Sequence, residues 1–141
     1  MATEDYIVDT QNQIDVIVIN DIALPIDEDR LIEGGSQGDN IIGGTGNDTI
    51  FGLEGADTLE GNSGNDSMVG NESNDLLFGQ NGDDTLEGRL GNDFLFGQND
   101  DDEMNGGPGN DRLNGGPGSD RLNGGQGNDI LTGGILSLIH I

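Results

Sequence analysis

The sequence predicts an all-β fold, a two-sheet parallel β-solenoid wound from tandem nine-residue units. Three observations that share one period predict it. An Asp returns every nine residues, eleven times: Asp39, Asp48, Asp57, Asp66, Asp75, Asp84, Asp93, Asp102, Asp111, Asp120 and Asp129. A Gly stands five residues before each, from Gly34 to Gly124. A large apolar residue stands two after each: Ile41, Ile50, Leu59, Met68, Leu77, Leu86, Leu95, Met104, Leu113, Leu122 and Leu131. Three constraints of different chemistry in one register make residues 34–132 a tandem array, to be read by its unit.

The unit is clearest in Gly43-Gly44-Thr45-Gly46-Asn47-Asp48-Thr49-Ile50-Phe51, that is G-G-x-G-x-D-x-U-x with U large and apolar. Glycines at positions 1, 2 and 4 permit positive φ and close backbone approach, as a tight turn needs. Such a turn aims carbonyl oxygens at one point, and the Asp at position 6 adds a carboxylate. Positions 7 to 9 are expected to form a three-residue strand with position 8 pointing in and 7 and 9 pointing out. Two units then make one flattened coil of eighteen residues, and coils stack at roughly 4.8 Å.

This nonapeptide resembles the calcium-binding repeat of the RTX (repeats-in-toxin) family, also known as the haemolysin-type calcium-binding repeat. The resemblance covers residues 34–132. It implies a parallel β-roll with Ca2+ between stacked turns, each Asp serving the ions on both its sides. The chemistry agrees, because calcium takes six to eight hard oxygen ligands and mixes carbonyls with carboxylates. Repeats beginning at 34, 52, 70, 88, 106 and 124 form one column with five gaps. Those beginning at 43, 61, 79, 97 and 115 form a second with four, so at most about nine ions fit between turns. The eleven Asp residues are the candidate ligands. With them go the turn glycines of the intact units: Gly43, Gly44 and Gly46; Gly106, Gly107 and Gly109; Gly115, Gly116 and Gly118; Gly124, Gly125 and Gly127.

The units are unequal. Position 1 is always Gly, and position 4 departs only at Gln37, Ser73 and Asp100. Position 2 is Gly in five units but Leu53, Asn62, Asn71, Gln80, Arg89 and Gln98 in the middle six. The most regular binding is therefore expected over 106–132 and at the turn 43–48. Asn visits the left-handed region with little cost, so Asn62 and Asn71 are mild defects. Arg89 is expected to bring positive charge near a cation site. Extra acids at Asp83, Asp100 and Asp101 would supply or distort ligands.

Composition supports an ion-dependent fold. The net charge is −24, from 28 acids against four arginines. A compact state carrying that charge repels itself. One apolar core residue per nine is thin against the entropy of ordering the chain. Each site at tenfold saturation contributes about 1.4 kcal/mol, so several together reach the scale of a whole domain's stability. Extracellular calcium modules have Kd near 10⁻⁴ to 10⁻³ M, roughly. The array is therefore expected to stay unfolded at cytosolic calcium and to fold outside the cell.

The flanks depart from the register. Residues 1–33 are expected to form an N-terminal cap, with strand-like Ile14–Ile19 and a decayed unit at 25–33 that places Ile32 at position 8. The alternative is the tail of an upstream domain. After Gly133-Gly134, residues 135–141 abandon the pattern: an apolar cap strand, a loose likeness to a secretion signal, or foreign sequence marking truncation. His140, the one histidine, is expected to be incidental. The start lacks a basic segment followed by an apolar one, so no conventional signal peptide is expected. RTX resemblance implies secretion to the extracellular space through a one-step type I exporter of bacteria.

Catalysis is not expected: there is no H-E-x-x-H, no G-x-S-x-G and no cysteine. The carboxylates recur in identical settings, whereas acid–base pairs need unequal ones. The alternatives are the noncatalytic C-terminal module of a secreted metalloprotease, lipase or epimerase, and a segment of a calcium-dependent adhesin. Nucleic acid is disfavoured by the charge, and no apolar run is long enough for a membrane span. Leu76, Phe78, Phe94 and Phe96 should cluster on an outward face, a docking surface for the N-terminal segment, a partner or a second copy.

Overall fold

The computed structural model describes residues 6–8, 16–18, 29–134 and 136–140, the first two segments as backbone. These residues hold fifteen strands and no helix. The strands are β1 (Tyr6–Val8), β2 (Val16–Val18), β3 (Leu31–Glu33), β4 (Asn40–Thr45), β5 (Thr49–Glu54), β6 (Thr58–Ser63), β7 (Ser67–Glu72) and β8 (Leu76–Asn81). They continue with β9 (Thr85–Leu90), β10 (Phe94–Asn99), β11 (Glu103–Pro108), β12 (Arg112–Asn114), β13 (Arg121–Gln126), β14 (Ile130–Thr132) and β15 (Leu138–His140).

Odd strands form one eight-stranded sheet in the order β1-β3-β5-β7-β9-β11-β13-β15, and even strands a seven-stranded sheet from β14 to β2. Every pairing is parallel, and through the array each residue pairs with the one eighteen later, as Ile50↔Met68 and Leu77↔Leu95. The chain is thus a parallel β-roll, with like residues stacked on like along two columns of turns.

The core is a single line of position-8 side chains between the sheets. Ile32, Ile41, Ile50, Leu59, Met68, Leu77, Leu86, Leu95, Met104, Leu113 and Leu122 are at most 2% exposed, and Leu131 packs partly buried at the end. Ile32 joins this line through β3, which pairs with β5.

The strands are longer than the three residues expected. Most run six residues, through positions 7 to 9 and on through 1 to 3 of the next unit. In β4, Ile41 and Gly43 are both buried while Asn40 and Thr45 are exposed. Position 1 therefore continues the inward alternation, and its glycine belongs to the core face rather than to a turn alone. The identical register of stacked coils lets the hydrogen-bonded ladder pass through the bend.

At the N-terminal end β1 pairs with β3 and β2 with β4; residues 9–15 and 19–28, including most of the decayed unit's turn, lie outside the described residues. At the other end β15 pairs with β13, but Arg121 faces Leu138, a register of seventeen. On the outer face of the even sheet the Phe78 and Phe96 rings stack at 5.2 Å. Arg112 lies over the Phe94 ring at 5.6 Å, and Phe94 stays 40% exposed. The described N-terminal strands extend the sheet edges in plane.

Candidate metal centre

All the candidate carboxylates except Asp129 are buried, at most 3% exposed from Asp39 to Asp120. From Asp48 onward each is held by a scaffold contact at Oδ1. With the exception at Asp48 described below, that oxygen accepts the backbone N–H of the Asp one coil earlier. Asp39 N donates to Asp57 at 2.8 Å, Asp48 to Asp66 at 2.7 Å, Asp84 to Asp102 at 3.0 Å and Asp111 to Asp129 at 2.9 Å. One oxygen is thereby fixed. The other, Oδ2, has no hydrogen-bond partner in Asp48, Asp57, Asp66, Asp75, Asp84, Asp93, Asp102 and Asp111. In Asp39 the roles exchange: Oδ2 accepts the Gly35 N–H at 2.6 Å and Oδ1 is unpartnered.

The position-1 glycine shows where Oδ2 points. A Cβ placed on Gly43 would meet Asp48 Oδ2 at 2.6 Å and the carbonyl oxygen of Gly61, one coil on, at 3.0 Å. Gly34, Gly52, Gly79, Gly88 and Gly106 meet the equivalent pair of oxygens, and Gly115 and Gly124 meet the Oδ2 of Asp120 and Asp129. A carboxylate oxygen and a backbone carbonyl thus converge beside Gly43 and the glycines that share its pair. That explains glycine at position 1 in all units: any side chain would enter the space the Asp faces.

Carbonyls at positions 2 and 4 point along the column as well. A Cβ on Gly107, Gly116 or Gly125 would collide with the position-2 carbonyl of Arg89, Gln98 or Gly107. One on Gly109, Gly118 or Gly127 would collide with the position-4 carbonyl of Gly91, Asp100 or Gly109. Position 2 is left-handed wherever the turn is regular: φ is 118° at Gly44, 100° at Gly107, 97° at Gly116 and 98° at Gly125. The non-glycine residues there adopt it too, from Leu53 at 81° to Gln98 at 82°, as do Ser73 and Asp100 at position 4. Gly46, at position 4, has φ 107°.

Burial raises the carboxylate pKa values. Asp48, Asp57 and Asp93 are pushed from 3.8 to about 6, and Asp75, Asp84 and Asp102 to about 7. Desolvation is the leading cause; neighbouring Asp residues add to it, and the backbone N–H bonds oppose it. Asp66 and Asp111 shift the same way.

Among the described residues no three acidic, His or Cys side chains cluster as a self-contained metal cage. The donors are instead one buried carboxylate per turn with backbone carbonyls around it. All are oxygen, each carboxylate from Asp39 to Asp111 keeps one oxygen without a hydrogen-bond donor, and the chain carries −24. Such a set fits a hard cation such as Ca2+, which accepts carbonyls and carboxylates together.

Two readings of individual side chains change. Arg89 turns outward, its Nε 3.3 Å from Glu87 Oε2 and its guanidinium donating to Asn71 Oδ1 at 2.9 Å, so its charge is engaged at the surface. Asp83 and Asp101 likewise join an outer row at position 5. That row was not anticipated: Asn65 N donates to Asn47 Oδ1 at 2.8 Å, Asp83 N to Asn65 at 3.1 Å and Asp101 N to Asp83 at 3.0 Å. Asn92, Asn110 and Asn128 do the same in the other column. Its signal was present in the recurrent Asn or Asp immediately before the invariant Asp.

The column through Asp48, Asp66, Asp84, Asp102 and Asp120 ends differently at each side. At its start, among the described residues, Arg30 stands at position 6, 7% exposed, and its N–H takes the place of an Asp N–H on Asp48 Oδ1. At its end Ser137 Oγ accepts the Asp120 N–H at 3.3 Å and donates to Asp120 Oδ2 at 2.8 Å, so a hydroxyl completes the last carboxylate.

A family model described as "RTX calcium-binding nonapeptide repeat (4 copies)" matches residues 33–68, 60–95, 69–104, 78–113 and 105–135. Comparison with curated proteins finds no match. The matched span takes in the whole row of position-6 carboxylates and most of both sheets, and the family's ion is calcium. The chain belongs to the RTX calcium-binding nonapeptide-repeat family, and its β-roll is a noncatalytic calcium-binding module.

Proposed function

We propose that this module folds when calcium binds, outside the cell, and that Asp39 to Asp129 with the turn carbonyls are its ligands. The observation that carries the reading is the row of buried Asp Oδ2 atoms with no hydrogen-bond partner. A buried ionised carboxylate with one oxygen left unpartnered is costly, and here the cost recurs coil after coil. Calcium, when bound, supplies the positive charge and takes the free lone pairs. From Asp48 onward the chain's own part is to hold Oδ1 on a backbone N–H, so that Oδ2 stays aimed beside the position-1 glycine. The position-2 and position-4 glycines keep the carbonyls close to the column. Ligands come from the intact turns Gly43-Gly44-x-Gly46, Gly106-Gly107-x-Gly109, Gly115-Gly116-x-Gly118 and Gly124-Gly125-x-Gly127, and from the degenerate turns between them.

Family membership supports secretion from a bacterium through a type I exporter, and the expected millimolar affinity range suits an extracellular site. Residues 1–33 would cap one end, 34–132 form the calcium array, and 133–141 hold the start of a degenerate unit and an apolar tail that is native or marks a truncation. The protein as a whole is read as non-enzymatic. Far-UV circular dichroism during a calcium titration from chelator tests the central point. A cooperative coil-to-β transition near millimolar calcium is expected, with Mg²⁺ a poor substitute because it demands tighter octahedral geometry. Full β-structure in chelator, or none at any calcium level, would overturn it.

A further inference from the structure

One position-6 residue in the described chain breaks the charge pattern of the array. Arg30 occupies the place that Asp fills in the eleven units from 34 onward. Its backbone is unchanged in role: Arg30 N–H donates to Asp48 Oδ1 at 2.9 Å, as the Asp48 N–H does to Asp66 at 2.7 Å. Its side chain inverts the chemistry. In the next gap of that column the Gly61 carbonyl lies beside the unpartnered Oδ2 of Asp48, two oxygens facing a common point. In the first gap the equivalent carbonyl, that of Gly43, instead receives a hydrogen bond from the Arg30 guanidinium at 2.8 Å. The guanidinium is buried, always charged, and rich in donors. A cation on a side chain therefore meets the carbonyl that elsewhere lies beside a free carboxylate oxygen.

We propose that Arg30 is a resident cation that replaces the calcium ion in the first gap of this column. That gap takes no metal, and the array begins on a charge that is always in place. The inference rests on the reading that the other gaps bind calcium. It also gives Arg30 a specific task at the boundary of the regular array, where a repeat protein needs a unit unlike the rest. The fixed charge offsets Asp48 before any ion arrives, so coil growth can start from this end.

Two measurements test it. Ions are counted by native mass spectrometry of the full chain in excess calcium. Arg30→Asp restores the carboxylate of the other units, so it should carry one more ion than the wild type. Equal counts in the two folded proteins would overturn the proposal. A wild type that binds no calcium would remove the underlying reading as well, which separates the two failures. Should Arg30→Asp not fold, the calcium midpoint of the circular dichroism transition decides through Arg30→Met and Arg30→Lys. Met keeps much of the stem without charge, and Lys keeps the charge. A midpoint raised in Arg30→Met and largely restored in Arg30→Lys is expected. A wild-type midpoint in Arg30→Met, or an equal rise in both, would show that the positive charge is not what matters.

Discussion

At the scale of the residue, the two oxygens of each Asp have separate tasks, and substitution can divide them. In Asp84, Oδ1 accepts the Asp66 N–H at 2.8 Å and Oδ2 has no partner. Asp84→Asn keeps the acceptor but removes the charge that burial disfavours, so it should stabilise the metal-free fold while weakening the calcium response. The check is the β-content in chelator by circular dichroism, which should rise, and the urea midpoint in saturating calcium, which should fall. Leu53 presents a different opportunity. It holds φ 81° with its side chain 37% exposed. A left-handed L-residue costs about 1–2 kcal/mol, less the entropy that glycine adds to the unfolded chain. Leu53→Gly should therefore stabilise the folded state by about 0.5–1 kcal/mol, read as a higher urea midpoint in calcium. Gly43→Ala should do the reverse, because its Cβ would meet Asp48 Oδ2 and the Gly61 carbonyl.

At the scale of the element, strand and turn share one hydrogen-bonded ladder, and the core between the sheets is one side chain wide. Leu77, with no exposed surface, contacts its neighbours in that line and cannot be compensated from a second layer. Leu77→Ala should cost about 2–5 kcal/mol, the range for a buried Leu, and shift the calcium transition upward or abolish it; an unchanged circular dichroism midpoint would contradict the single-file core. This core was legible in the sequence because position 8 is apolar in every unit, and the stacking of alternate units followed from the eighteen-residue coil. The length of the strands was not legible. Thr45 and Glu54 stand at position 3, between the turn glycines of the unit, and only the stacking of identical turns lets the ladder continue through them. The free Oδ2 could be anticipated as a ligand, but not the backbone N–H that fixes Oδ1, since that contact joins residues eighteen apart. Arg30 and Ser137 escaped for a simpler reason: each meets an Asp of the column from outside the motif, and periodicity has nothing to say about a departure.

At the scale of the whole molecule, the buried carboxylates make metal and proton alternative ways of removing charge. In the absence of metal, Asp75, Asp84 and Asp102 titrate near 7 in the fold against 3.8 for an ordinary Asp, and Asp48, Asp57 and Asp93 near 6. Between those values the folded chain binds more protons than the unfolded one, so metal-free stability falls as pH rises. The contribution is fully present below 3.8 and is lost as pH rises through 6 and 7. Calcium reverses the sign. Binding requires the ionised carboxylates, so protons compete with it and the calcium midpoint should move to higher concentration as pH falls below 7. The two trends together discriminate the proposed ligand set from a fold that merely tolerates a high charge. Circular dichroism in chelator should show β-structure growing on acidification from pH 7 toward 5, while the calcium titrations at the same pH values shift upward. General relief of surface repulsion would also favour compaction in acid, but it would leave the dependence on Asp84→Asn unexplained. In that variant one of the carboxylates titrating near 7 is gone, so the slope of metal-free stability against pH should flatten. An unaltered slope would place the proton uptake outside the column.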